Sequence, residues 1–217
     1  MISGLFEVHL ITTPECQTKL FGYITNISDK RLIRPRPTCS NTLYGDYKIQ
    51  PMLTFWVNST SDLITNIVDE IQQDMINNGI PIIRTKIESM AHNSGVPETI
   101  SNDHYFEFHF KINISGTSDW NNIVKLITPF GAHLFYNPYN KTLNPTVTVR
   151  RYTSLQNLED TFTKIKDLLE TNGYELTHLE KEYSVFDSDV NLDKNWLFND
   201  TSQNFITQVN NDMLFAF

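Results

Sequence analysis

The sequence predicts an α+β protein that is internally duplicated, and three observations carry that prediction. "FEVHL" at residues 6–10 reappears as "FEFHF" at residues 106–110. Residues 51–88 align without a gap to residues 145–182, a shift of 94 positions. Pro51, Thr54, Asn78, Gly79 and Glu88 then meet Pro145, Thr148, Asn172, Gly173 and Glu182. The two halves also share one order: strand, strand, helix, Asn-Gly, strand.

Taken in order, residues 4–12 alternate, placing Phe6, Val8 and Leu10 on one face and Glu7 and His9 on the other. "TTPECQTKLFG" is poorly patterned and predicts no more than a single turn, after which residues 21–27 read as extended. "DKRLIRPRPTCSNTLYGD" (29–46), with three Arg and two Pro, reads as a loop. A strand over 46–57 precedes a helix from Asp62 to Asn77, whose Leu63, Ile64, Ile67, Val68, Ile71 and Met75 form an apolar stripe. Ser61 is its candidate N-cap. A strand over 80–89 closes the first unit, and the polar, turn-rich residues 90–103 form a linker.

The second unit repeats this plan. Residues 104–114 put Phe106, Phe108 and Phe110 on one face and Glu107, His109 and Lys111 on the other. "SDWNNIVKLITPFG" keeps helical spacing through Trp120, Ile123, Val124 and Ile127. Strands follow over 131–136 and 145–152. A helix from Leu155 to Thr171 begins at a Thr153–Gln156 capping box and stops near Gly173. A strand over 174–186 ends the unit. The boundaries are therefore 1–89, a linker at 90–103, 104–188, and a C-terminal extension at 189–217 packed on the body. Each unit is close to a ferredoxin-like sandwich with an antiparallel or mixed sheet. Two units packed side by side would give a barrel-like or grooved body.

Composition narrows the function. Hydrophobic residues make up 40% of 217, enough for a real core. A net charge of -8 argues against a bulk electrostatic grip on nucleic acid or an anionic membrane. Two cysteines, Cys16 and Cys39, are too few for a disulfide framework and point to a reducing, cytoplasmic location. The N-terminus has no basic segment before its apolar run, and no stretch is long and apolar enough to span a membrane. The expected state is a monomer or a homodimer.

The charged sheet face supplies the candidate site. Arg84, Lys86 and Glu88 share one face of their strand, as do His178, Glu180 and Glu182 of theirs, while Lys181 points away. If these faces line a shared groove, the residues suit a phosphorylated small molecule. Lys86, Lys111 and Arg150 would bind the phosphate. His9 and His109 would serve as acid and base, with Glu107 and Glu182 orienting them. Glu88 and Glu182 are the candidate ligands for a divalent cation such as Mg, although no cofactor is specified by the sequence. The leading expectation is a phosphoester hydrolase or nucleotide-binding, nucleotide-processing enzyme. The second is a non-catalytic ligand-binding or structural protein with a solvated polar sheet face, since antiparallel sheets commonly turn one face to water.

Three motifs bear on this choice. Glu107-x-His109-x-Lys111 resembles the Glu-x-Glu-x-Lys strand of the triphosphate-tunnel enzymes, with His in the middle place and no dense Arg/Lys ladder in the following strands. The paired histidines resemble those of the two-histidine phosphoesterases, but "HLI" and "HFK" lack that family's hydroxyl residue two places on. "DSDVNLDKNW" (187–196) resembles the opening of an EF-hand loop. Leu192 and Phe198 stand where glycine and the bidentate Glu belong, so an acidic turn is expected.

Overall fold

A computed structural model describes residues 1–42, 47–100, 104–140, 144–193 and 197–199. The N-terminal alternation forms strand β1 (Ser3–Ile11), whose Phe6, Val8 and Leu10 are fully buried. The next segment departs from expectation: a 3-10 turn at Pro14–Cys16 runs into helix α1 (Gln17–Asn26), covering residues that read as a turn and a strand. Its periodicity is weak, and Leu20 is its one fully buried side chain, so tertiary packing rather than propensity holds it.

The proline-bearing stretch is also corrected, from loop to strand β2 (Ile33–Asn41). It lies at the sheet edge and pairs on one side only, with β3 (Ile49–Thr60), and an edge tolerates Pro35 and Pro37. A register shift between Ile33 and Arg36 bends it, and Arg34 sits at φ +50° within that bulge.

Helix α2 (Ser61–Asn77) buries Ile64, Val68, Ile71 and Met75 and leads to β4 (Arg84–Met90). Its N-cap is Thr60 rather than Ser61, whose hydroxyl instead accepts from the Ile2 backbone N–H at 3.2 Å. The second half runs β5 (Phe106–Asn113), α3 (Thr117–Ile127), β6 (Ala132–Phe135), β7 (Thr146–Tyr152), α4 (Leu155–Thr171) and β8 (Glu175–Asp187). The α4 cap is likewise shifted by one residue: Ser154 caps, accepting from the Asn157 N–H at 3.3 Å.

The strands form one sheet in the order β2-β3-β1-β4-β8-β5-β7-β6, with a short β9 (Leu197–Asn199) parallel to β7 and every other pair antiparallel. The fold is thus mixed α+β with an open sheet and several helices. Its path ends at β2 and β6, and those edges touch at one isolated bridge, Asn41 N–H to Tyr136 O at 2.9 Å. Both halves run β-α-β-β-α-β. The register places Glu7 opposite Glu88 and Glu107 opposite Glu182, and it sets His9 against Thr54 and His109 against Thr148.

Two apolar clusters lie between sheet and helices, one centred on Phe6, Phe55, Ile64 and Met75 and one on Phe108, Phe110, Phe162 and Ile165. Lys181 points to this side and pairs with Glu159 of α4 at 2.7 Å. Residues beyond β4 are stitched back to β1 by Ser3 N–H to Ser94 O at 2.9 Å. Past β8, a 3-10 turn at Val190–Asp193 buries Leu192 and Asp193. Residues 194–196 and 200–217, including the apolar "MLFAF" end, lie outside the described residues, as do 101–103 of the linker. Among the described residues no helix is long and apolar enough to cross a membrane.

Candidate functional site

Strand parity carries the acidic and basic residues to the sheet face away from the helices, and that face is buried rather than solvated. Glu7, Arg84, Lys86, Glu88, Glu107, Arg150, Glu182 and Asp193 are each at most 5% exposed. Burying so many charges costs several kcal/mol per ion unless each is paired, so the pairing decides what the face can do.

Three cations form the hubs. Arg84 grips Asp187 with Nε at 2.8 Å and Nη2 at 2.6 Å, and reaches Asp193 with Nη1 at 2.6 Å. Arg150 donates to Glu107 from Nε at 2.7 Å and Nη2 at 3.2 Å, and from Nη1 to Asp193 at 3.0 Å. Lys86 donates to Glu107 and lies 2.7 Å from Glu88 Oε1, outside the direction of a good hydrogen bond. Gln50 and the Tyr105 hydroxyl complete the network, donating to Asp193 at 2.8 Å and Asp187 at 2.6 Å.

These pairings set the protonation states. Burial alone would raise Glu107, but Arg150 and Lys86 hold it well below the usual carboxylate range. Asp193 and Asp187 are lowered by Arg84 against the same burial. Glu182 is the opposite case. It is fully buried, no donor among the described residues reaches either of its oxygens, and Glu88 and Glu7 add their repulsion to burial. Its carboxyl is therefore held well above the usual range. Burial likewise raises Glu7, which the neighbouring His9 only partly offsets.

The two histidines sit differently. His9 bonds Thr54 through Nδ1 at 2.9 Å and turns Nε2 toward Glu88 at 3.4 Å and Glu7 at 3.8 Å. His109 points Nε2 at Glu180 at 2.7 Å, with Nδ1 3.9 Å from Glu182. Burial would lower His109, but the hydrogen bond and charge of Glu180 raise it, and Glu180 falls to about 2 in return.

Above the network lies a cavity of about 390 Å³ lined from all eight strands of the sheet path. Of the residues singled out in the sequence, Glu7, His9, Lys86, Glu88, Glu107, His109, Lys111 and Arg150 line it, whereas Glu182 lies beneath. His178 reaches the lining because β8 bulges there, with His178 at φ +58°. Gln50, Tyr105, Asp187 and Asp193 are the participants that sequence reasoning passed over. Asp187 and Asp193 were visible as part of the acidic turn, but nothing in the spacing tied that turn to Arg84 and Arg150.

The hydrolase and nucleotide-binding expectation is corrected on this geometry. Lys86 and Arg150, assigned to phosphate, are each held between two carboxylates, and Glu107 is a counter-ion rather than a free base. Glu88 and Glu182 belong to no group of three or more His, Cys, Asp or Glu placed to hold a metal among the described residues.

No family model and no curated protein matches the chain. Among solved structures, a putative monooxygenase from Fusobacterium nucleatum subsp. nucleatum is similar at 8% identity, covering 87% of this chain and 95% of that one, with a TM-score of 0.36. An anthrone oxidase-like protein is similar at 12% identity, covering 85% and 92%, with a TM-score of 0.30.

Proposed function

We propose that this chain is a non-catalytic, small-molecule-binding protein whose polar sheet face lines the binding cavity. The observation that carries this reading is the convergence of all eight path strands on one cavity of about 390 Å³, within the range of small-ligand sites. Each cation beneath it is already held by carboxylates, which suits binding better than a proton-transfer cycle. His9, His109 and Lys111 are then ligand-contacting groups, and Lys86, Arg150 and Glu107 hold the floor in place.

The architecture behind this reading is a duplication: two ferredoxin-like units, 1–89 and 104–188, joined through β4 and β8 and curled into a groove. The matching registers of Glu7–Glu88 and Glu107–Glu182 support it. Free thiols at Cys16 and Cys39 suit a reducing, cytoplasmic setting.

A thermal-shift screen of small molecules tests the proposal, because a ligand that prefers the folded state raises its stability. Ser40 lines the cavity from the edge strand, so Ser40→Trp should fill it. Ligands are expected to stabilise the native chain and lose at least tenfold in affinity on Ser40→Trp. Stabilisation that is indifferent to this substitution would place binding elsewhere and sink the reading.

A further inference from the structure

The buried part of the face carries an imbalance of charge. Among the described residues, Arg84, Lys86 and Arg150 are its three cations, while Glu7, Glu88, Glu107, Glu182, Asp187 and Asp193 are its carboxylates, with the Asp187 side chain 3% exposed. Asp187, Asp193, Glu107 and Glu88 are the acids the cations reach. Neither Glu7 nor Glu182 forms an ion pair with a Lys or Arg among the described residues. A carboxyl–carboxylate pair buried away from water is a costly arrangement that a positive charge would relieve.

That excess lies at the cavity floor. Glu7 and Glu88 line the cavity, His9 stands over both, and His109 stands over Glu182 from the other half of the sheet. Two observations besides the acidic grouping point to a ligand here. Neither Glu182 oxygen meets a donor among the described residues although the side chain is fully buried, and the Glu88 oxygens, at 1% exposure, have no hydrogen bond of good geometry. The remaining cations of the lining do not reverse the balance: Lys111 faces Glu180, and the exposed Arg36 stacks on the Trp56 ring at 4.6 Å. Apolar surface flanks the charged floor, with Phe21 packed edge-on to Tyr139 at a centroid distance of 4.9 Å and Phe135 nearby in the lining.

We propose that the cavity takes an organic cation, with an amine or amidinium head seated over Glu7 and Glu88 between His9 and His109 and an aromatic body against Phe21, Phe135 and Tyr139. The inference rests on the ligand-binding reading and adds the sign of the ligand's charge. It reverses the expectation of a phosphorylated ligand, because the cations that would have held phosphate are already engaged by carboxylates.

Calorimetric titration of the full chain at neutral pH with benzamidine, phenethylamine, 2-phenylethanol and phenyl phosphate tests it. The two cations should bind, 2-phenylethanol at least tenfold more weakly than phenethylamine, and phenyl phosphate not measurably. Glu7→Gln, which keeps the side-chain shape, should weaken the cations at least tenfold and leave 2-phenylethanol unchanged. Glu88→Gln, at the other carboxylate beneath the head, should act in the same direction if Glu7→Gln does not fold. Equal binding of the alcohol and the amine, tighter binding of phenyl phosphate, or no binding by either cation would each overturn the proposal. The Ser40→Trp screen judges ligand binding itself, so the two failures are distinguishable.

Discussion

Glu182 and Asp193 are both carboxylates buried beneath one sheet face, yet neutralising them should act in opposite directions. Asp193 accepts from Arg84, Arg150 and Gln50. Removing it takes one of two carboxylate partners from each of two buried guanidinium groups, so Asp193→Ala should destabilise the fold by about 3 kcal/mol. Glu182 accepts from no described donor, and its ionised form is opposed by Glu88 and Glu7. Glu182→Gln removes the need to bury that charge and should stabilise the protein by about 1 kcal/mol or more at pH 8. Urea unfolding of the two variants at that pH checks the pair of signs, and destabilisation by Glu182→Gln would show that its carboxylate has a partner after all. The sequence reveals Glu182 as one acid among several on a polar face. Which acid is paired and which is not depends on distances across three strands, and strand parity does not encode those.

Helix ends make a similar contrast among elements. At α4 the Ser154 hydroxyl accepts from a backbone N–H, whereas Thr60 at α2 makes no such bond. Ser154→Ala should therefore cost about 1 kcal/mol and Thr60→Ala less than about 0.5 kcal/mol. Gly173, at φ +85°, ends α4 in a conformation that resists a Cβ, and Gly173→Ala should cost about 1 kcal/mol. Chemical denaturation of the three variants measures the order, and equal losses at Ser154 and Thr60 would contradict the cap assignment. Both long helices, α2 and α4, were legible in the sequence because their apolar stripes recur over four turns. The element α1 was not, since ten residues with Gly22 and scattered apolar positions give little period. Strand β2 was hidden for a different reason: Pro35 and Pro37 argue against a strand until its place at the edge is known.

Across the whole molecule, the two kinds of buried acid should confine stability to a window of pH. Glu107, Asp187, Asp193, Glu88 and Glu180 are lowered on folding, so their contribution is present above the ordinary carboxylate range and lost as pH falls, toward about 2 for Glu180. Glu182, Glu7 and His109 are raised, so what they contribute is complete at low pH and lost as pH rises through their folded values. The groups facing Glu182 come from every strand around it: Glu7 from β1, Lys86 and Glu88 from β4, His109 from β5 and Glu180 from β8. Burial and the repulsion of Glu88 and Glu7 raise Glu182, and Lys86 is the one fixed positive charge among these groups that opposes them. Stability should therefore peak on the mildly acidic side, about pH 5–6, and decline toward pH 9, unlike a protein whose acids are all lowered. Thermal unfolding across that range should show the decline in the native chain, and Glu182→Gln should flatten most of it. The acid limb should persist in that variant because Glu107, Asp187 and Asp193 still require their charges to hold Arg84, Lys86 and Arg150. A native profile that stays level from pH 5 to pH 9 would mean that the floor of the cavity binds no excess protons, and the imbalance of three cations against six acids among the described residues would then need another source of neutralisation.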